Sequence, residues 1–423
     1  MTTREILTGS FKAALAAADP LSIVARHLPT PPRGRTVVVG AGKAAASMAL
    51  AVESHWPAAM PLEGLVITRY GHGLPLERIR VVEAGHPVPD EQGEAAAREI
   101  LALARSLGED DLLLALVSGG GSSLLSLPAG SVSMADLKAV TRELLACGAP
   151  IQDMNTVRKH LSAIQGGRLA AASSARVLAL IVSDVTGDDP THIGSGPCVA
   201  DPTAYRDAIE ILARYGVTAP RSVAAHLEGG ARGLIPETPK PGDAALARAE
   251  NRVIATAHAS LMKAASFVQD HGITPVVLGE SVTGESSEVA KVFAAIARQV
   301  RGYGHPFKPP VALISGGETT VTLRGTGRGG RCAEFLLSLA VELDGLADTW
   351  ALACDTDGID GTEDNAGAIL TPDALERARG LGLAAKKMLA NNDGYGFFCA
   401  LGDLVVTGPT RTNVNDYRII VVR

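Results

Sequence analysis

Lys43 stands in the turn Gly40-Ala41-Gly42-Lys43-Ala44, between an apolar β-branched run and an alanine-rich stretch. Small residues at such a place let backbone amides and a helix N-terminus approach an anion, and the lysine adds a full positive charge where the helix dipole otherwise disfavours one. Gly40 and Gly42 therefore read as anion-binding positions with Lys43 as their cation, and a tight turn with a solvated lysine is the plain alternative. A second turn, Ser118-Gly119-Gly120-Gly121-Ser122-Ser123, follows the run LLLALV. Successive amides and hydroxyls at the carboxyl end of a parallel strand can wrap several phosphate oxygens. A third region joins Gly316, Gly317 and Glu318 of SGGETT to Arg328 and Arg331 of RGTGRGGR, immediately before a helical run. Guanidinium groups there match phosphate or carboxylate bidentately.

Two acidic turns complete the set. LIVSDVTGDDP carries Asp184, Asp188 and Asp189 past one strand, and LACDTDGIDGTEDNAG carries Asp355, Asp357 and Asp360 past another. Carboxylates at strand ends can hold Mg²⁺ or take a proton from a hydroxyl, which makes Asp184, Asp189 and Asp355 candidates for both tasks. Taken singly, each is more often a turn or helix-cap residue. The second turn fails as a calcium hand, since Ala366 falls at its twelfth position. No HExxH, paired helical histidine spacing or GxSxG elbow occurs. Arg158, Lys159 and His160 of NTVRKHLSAIQGGR read as the wet face of an amphipathic helix.

The first turn also fits the dinucleotide fingerprint GxGxx(G/A) formally. That fingerprint wants an acid about 20 residues on, at the end of the second strand, to hold the ribose hydroxyls. This strand ends in Arg69 instead, which speaks against NAD more than against NADP. A Walker A loop fails because Ala44 replaces its Ser or Thr and Val37 its first Gly.

The elements that must position these residues alternate short β-branched runs with alanine-rich helical runs, the pattern of a parallel sheet covered by helices. Strands are expected over 36–39, 64–68, 79–83, 111–117 and 176–182, after an opening helix over 4–28. A second α/β series is expected over 252–255, 274–278, 310–314, 321–323, 349–353, 403–406 and 417–422. PETPKPGD, Pro236 to Asp243, reads as the linker, giving domains over 1–240 and 241–423. A net charge of -6 without a basic stripe argues against nucleic acid as a partner, and no stretch approaches the roughly 18 apolar residues of a membrane helix. Five widely spaced cysteines without CxxC suit a reducing, cytoplasmic setting.

Taken together, GAGKAAASMA, SGGGSSLL, NTVRKHLSAIQGGRLA, SDVTGDDPTHIGSGPCVADPT, SGGETTV, GTGRGGRCAEF, ACDTDGIDGTEDNAGA and NDGYGFF with GDLVVTGPTRTNVNDYR resemble the class II glycerate kinases over essentially the whole chain. The resemblance implies two α/β domains, an N-terminal Rossmann-like parallel sheet and a smaller C-terminal α/β domain, with the active site in the cleft between them. It implies phosphorylation of D-glycerate at the 2-hydroxyl with ATP and Mg²⁺, with hydroxypyruvate reduction by NAD(P)H as the alternative carried by some relatives' names. It implies that the family's lysine corresponds to Lys43 and its important arginine to Arg328 or Arg331. At Cys332 relatives often carry Asn. A homodimer is a candidate assembly.

Overall fold

A computed structural model describes all 423 residues. The chain divides into two compact units, one of residues 20–254 and one that joins residues 255–423 to residues 1–19.

The unit of residues 20–254 is built on the strands β1 (Thr36–Ala41), β2 (Leu62–Arg69), β3 (Ile79–Ala84), β4 (Leu112–Val117), β5 (Arg176–Val182) and β6 (Ala249–Ala255). Their order is β3-β2-β1-β4-β5-β6, and β1 to β5 run parallel to their neighbours. Every residue of β1 and β4 is buried, as a central strand covered by helices on both faces requires. The strand order reverses between β1 and β4, so the turns that follow these two strands lie side by side at the switch point, where open α/β sheets bind ligands. The sequence motifs GAGK and SGGGSS are these two turns.

The second unit contains β7 (Thr274–Gly279), β8 (Gly284–Glu285), β9 (Val311–Ser315), β10 (Thr319–Thr320), β11 (Thr349–Asp355), β12 (Gly367–Leu370), β13 (Leu404–Val405) and β14 (Asp416–Val422). Its main sheet has the order β13-β12-β11-β14-β9-β7, with β8 and β10 paired apart from it. Only β7 and β9 pair in parallel; the β9–β14, β14–β11, β11–β12 and β12–β13 pairs are antiparallel. One face of this sheet is covered by the helices Thr3–Ala17 and Ala257–Asp270, through a core that includes Leu7, Phe11, Leu261, Ile314 and Ile419.

Several expectations change. The opening helix stops at Ala17, and Pro20–Ile23 forms a separate turn, because Pro20 has no amide to continue the ladder. That first helix belongs with the C-terminal residues, to which Tyr417 ties it by a hydroxyl bond to Ser10. The boundary falls at 254/255 rather than 240/241. PETPKPGD is held within the first unit, since Glu237 accepts the Tyr205 amide, Lys240 reaches the Thr238 hydroxyl, and β6 then joins the sheet edge beside β5. No strand forms over 321–323, whereas β12 occupies a stretch assigned no strand from sequence.

Candidate active site

At the switch point Gly42 has φ +143°, and a Cβ there would lie 2.0 Å from the Ser118 hydroxyl. Glycine is therefore required by the approach of the two turns. The amides around it are consumed inside the protein: Gly42 donates to the Ile67 carbonyl at 3.1 Å, Lys43 to the Gly119 carbonyl at 2.8 Å, Ala44 to Ser118 Oγ at 3.1 Å and Ala45 to the Gly42 carbonyl at 3.1 Å. This corrects the expectation that Gly40 and Gly42 offer an amide cradle. The turn after β1 stitches itself to β2 and to the turn after β4, and what it can present is the half-buried Lys43 side chain.

Gly120 has φ +80°, and a Cβ there would lie 2.8 Å from His86 Nε2 and 3.5 Å from Lys43 Cγ. Lys43, His86 and the Gly119–Gly120 backbone thus converge. The amides of Gly119 and Gly120 make no hydrogen bond within the chain, unlike that of Gly121, which returns to the Ser118 carbonyl at 3.1 Å. Of the Ser118–Ser123 candidates, Ser118 and Ser123 are turned inward, Ser123 Oγ donating to the Gly120 carbonyl at 3.1 Å. Ser122 Oγ accepts from Ser195 Oγ at 2.8 Å.

The helix Ile151–His160 does not present a wet face. Lys159 is buried and paired with the buried Asp201 at 2.7 Å, and His160 is wholly buried with Nδ1 on the Thr156 carbonyl at 2.8 Å. Burial holds the His160 imidazole below its ordinary value.

Asp184 is half-buried two residues beyond β5. Asp189 is exposed and turns back on its own loop, accepting the Thr191 amide at 2.9 Å.

In the second unit the SGGE turn after β9 is tied to its surroundings at two backbone points. The Gly316 amide goes to the Gly279 carbonyl at 2.9 Å, and the Gly317 carbonyl accepts the Asp416 amide at 3.2 Å. Glu318 pairs with Arg331, the first residue of the helix Arg331–Leu343. Arg331 also places Nε 2.8 Å from Asp416 and Nη2 2.8 Å from Asp355. Burial opposes its charge, but Asp416, Asp355 and Glu318 together hold the guanidinium above its ordinary value. Asp416 is shared with Arg418, a buried arginine that also donates to the Gly316 carbonyl and to Thr319 Oγ1. The Gly316 amide, the Gly317 carbonyl and the Glu318 carboxylate are thus engaged within the chain, while the Gly317 and Glu318 amides donate to no group in it.

Asp355 spends one oxygen on Arg331 and the other on the Asp357 amide at 3.0 Å. No group of three His, Cys, Asp or Glu side chains suited to a metal ion forms anywhere in the chain. Asp184, Asp189 and Asp355 accordingly belong to no such group. Asp360, also from the acidic turn, is fully buried and accepts the Cys332 and Ala333 amides at 2.9 and 2.8 Å, capping the helix whose own N-cap residue, Gly330, has no side chain. Burial pushes its carboxyl up to about 6. Position 332 therefore contributes its amide, while the Cys332 side chain is buried.

The loop RGTGRGGR lies on the segment Asn391–Tyr395. Asn392 Oδ1 accepts the Arg324 and Gly325 amides at 2.7 and 3.1 Å, Asn391 takes those of Thr326 and Gly327, and Asp393 takes that of Arg328. Asn392 Nδ2 donates to the buried Glu334 at 3.1 Å, a carboxyl that burial pushes up to about 7. The Arg328 guanidinium is 61% exposed, 4.7 Å above the Tyr395 ring and 3.5 Å from Glu363. Sequence reasoning missed these supporting residues; the run Asn-Asn-Asp-Gly, rich in turn-forming acceptors, was the available signal.

Residues 6–228 match the family described as Domain of unknown function (DUF4147), and residues 311–416 match the MOFRL family. A protein of Agrobacterium vitis named "Putative hydroxypyruvate reductase" is 52% identical, over 100% of this chain and 95% of its own length. The D-glycerate 2-kinase of Thermotoga maritima is 38% identical, over 96% of this chain and 95% of its own. The crystal structure of glycerate kinase from Thermotoga maritima, 36% identical, matches with a TM-score of 0.88 over 99% of both chains.

Proposed function

The chain belongs to the glycerate 2-kinase family, with its DUF4147 and MOFRL parts, and on that premise we propose that it transfers the γ-phosphoryl group of ATP to the 2-hydroxyl of D-glycerate. The observation that carries this over hydroxypyruvate reduction is the closed turn after β1. A dinucleotide fold needs that turn's amides for the pyrophosphate, and here Gly119 and Ser118 take them. The end of β2, where the ribose acid belongs, holds Arg69.

Phosphoryl transfer asks chiefly for positioning and for fixed cations against the equatorial oxygens. Lys43 supplies the charge and the Gly119–Gly120 amides the donors. In the other unit the proposed phosphate-binding arginine is Arg328, exposed on its aromatic support, and Arg331 keeps the carboxylates around it in register. ATP enters as its Mg²⁺ complex, the cation being part of the substrate. The 2-hydroxyl oxygen attacks phosphorus, the bridging P–O bond breaks toward ADP, and the hydroxyl proton passes to Asp184. The setting proposed is cytoplasmic; no helix is long and apolar enough to cross a membrane.

The test is direct. Protein with D-glycerate and MgATP, coupled to enolase without a mutase, is expected to form product, and ³¹P NMR is expected to show 2-phosphoglycerate. Oxidation of NADPH with hydroxypyruvate and no ADP formation from glycerate would overturn the reading.

A further inference from the structure

A cation withdrawn from water ordinarily has an anion against it. Lys159 obeys this with Asp201, and Arg331 and Arg418 obey it with Asp416. Arg158, one residue before Lys159, does not. It makes no ion pair, and its Nη1 donates to a neutral acceptor, Asn155 Oδ1, at 3.2 Å. Burial alone acts on it, pushing the guanidinium down to about 10.

Arg158 lines a cavity whose other walls include Ser122, Ser123, Ser126, Lys138 and Gln165. The walls are fixed: Gln165 Nε2 is held by the Ser122 and Leu125 carbonyls at 2.9 and 3.0 Å. Ser195 Oγ bridges Ser122 Oγ at 2.8 Å and Asn155 Oδ1 at 3.2 Å. A hydrogen-bonded chain, Ser122–Ser195–Asn155–Arg158, therefore links this cation to the glycine turn that abuts Lys43. The cavity combines Arg158, a second cation and hydroxyls with the apolar walls of Pro87, Pro89, Leu127 and Leu137 and no carboxylate, and such a mix of a mostly apolar wall with a few fixed polar groups suits a small carboxylate.

We propose that Arg158 is the anchor for the substrate carboxylate, taking a small 2-oxygenated carboxylate in a bidentate pair. That the anchored molecule is glycerate rests on the kinase reading; that a carboxylate binds at Arg158 does not. Holding the carboxylate there presents the adjacent 2-oxygen, rather than the more distant 3-hydroxyl, toward the Lys43 side of the turn, which accounts for the position phosphorylated.

The experiment titrates D-glycerate, hydroxypyruvate and glycerol into wild type, R158K and R158Q by calorimetry, with MgADP titrated separately and circular dichroism reporting the fold. Wild type is expected to bind the two carboxylates and not glycerol. R158Q is expected to lose more than tenfold in affinity for both carboxylates and to keep its MgADP affinity. R158K is expected to fall between, because an ammonium lacks the fork. In turnover, KM for glycerate is expected to rise more than kcat falls. Unchanged carboxylate binding in R158Q, or equal loss of carboxylate and MgADP, would overturn the proposal. If R158Q does not fold, wild-type-like carboxylate binding by R158K overturns it and weakened binding supports it. Binding of hydroxypyruvate through Arg158 in a protein that does not phosphorylate glycerate would remove the kinase reading and leave the anchor standing.

Discussion

Arg158 and Arg331 are both partly buried arginines near glycine-rich turns, and they differ in what answers their charge. Arg331 is met by Asp416, Asp355 and Glu318, whereas Arg158 meets one side-chain amide oxygen. The turns themselves do not divide so cleanly. The Gly316 amide is spent on the Gly279 carbonyl, but the Gly317 and Glu318 amides have no acceptor in the chain, and neither have those of Gly119 and Gly120. What sets the second Ser-Gly-Gly turn apart is the set of ion pairs around it, Glu318 with Arg331 and Arg331 with Asp416. An arginine near a glycine turn is evidence of a ligand when its counter-charge is missing, and of scaffolding when it is present.

The largest expected effect tests the open region as a whole. Lys43→Ala is expected to lower kcat by about a hundredfold or more with thermal unfolding unchanged, since it removes a fixed cation from the transferring group. Turnover near the wild-type rate would remove that region from the chemistry. The next experiment sets the two arginines against each other by urea denaturation. Arg331→Met takes the counter-charge from Asp355 and leaves the buried Asp416 paired with Arg418, and is expected to destabilise by on the order of 3 kcal/mol. Arg158→Met removes a buried charge that has no counter-ion, and is expected to change stability by less than about 1 kcal/mol, or to raise it. Equal losses would erase the distinction.

A smaller effect belongs to the closed region alone. Asp360 and Glu334 have folded values raised to about 6 and about 7, above those of the unfolded chain, so the native state holds protons that the unfolded state releases. Their stabilising contribution is present below the unfolded values and is lost as pH rises through about 6 and about 7. The unfolding free energy is expected to fall by roughly 2–4 kcal/mol between pH 5 and 8. Glu334→Gln is expected to flatten the upper part of that slope. A stability that rose with pH in this window would show that the two carboxyls are not the buried, uncompensated groups the geometry makes them.

The parallel strands were legible because burial on both faces leaves unbroken β-branched and leucine runs. β12 was not, because four residues between an acidic turn and a loop carry too little pattern. The glycine turns were legible as turns, but which amides stay open depends on partners far away in sequence, such as the Ala44–Ser118 bond across 74 residues. Arg158, Lys159 and His160 were read as solvated because three consecutive polar residues usually are. The residue that makes Lys159 a core residue, Asp201, lies 42 positions on, and nothing local announces it. The acidic turns were found as motifs, yet Asp355 and Asp360 turned out to serve an arginine and a helix terminus.

The loop Arg324–Arg328 contains neither helix nor strand and carries two glycines, a composition that suggests rapid motion. Yet its five successive amides are all donated, three to the Asn391 and Asn392 side-chain oxygens, one to the Asn391 carbonyl and one to Asp393. In solvent deuterium such amides exchange only when the segment Asn391–Asp393 lets go of them as a body. The Arg328 side chain therefore moves against a backbone that is already held, and a contact made by its guanidinium immobilises a side chain rather than a whole loop.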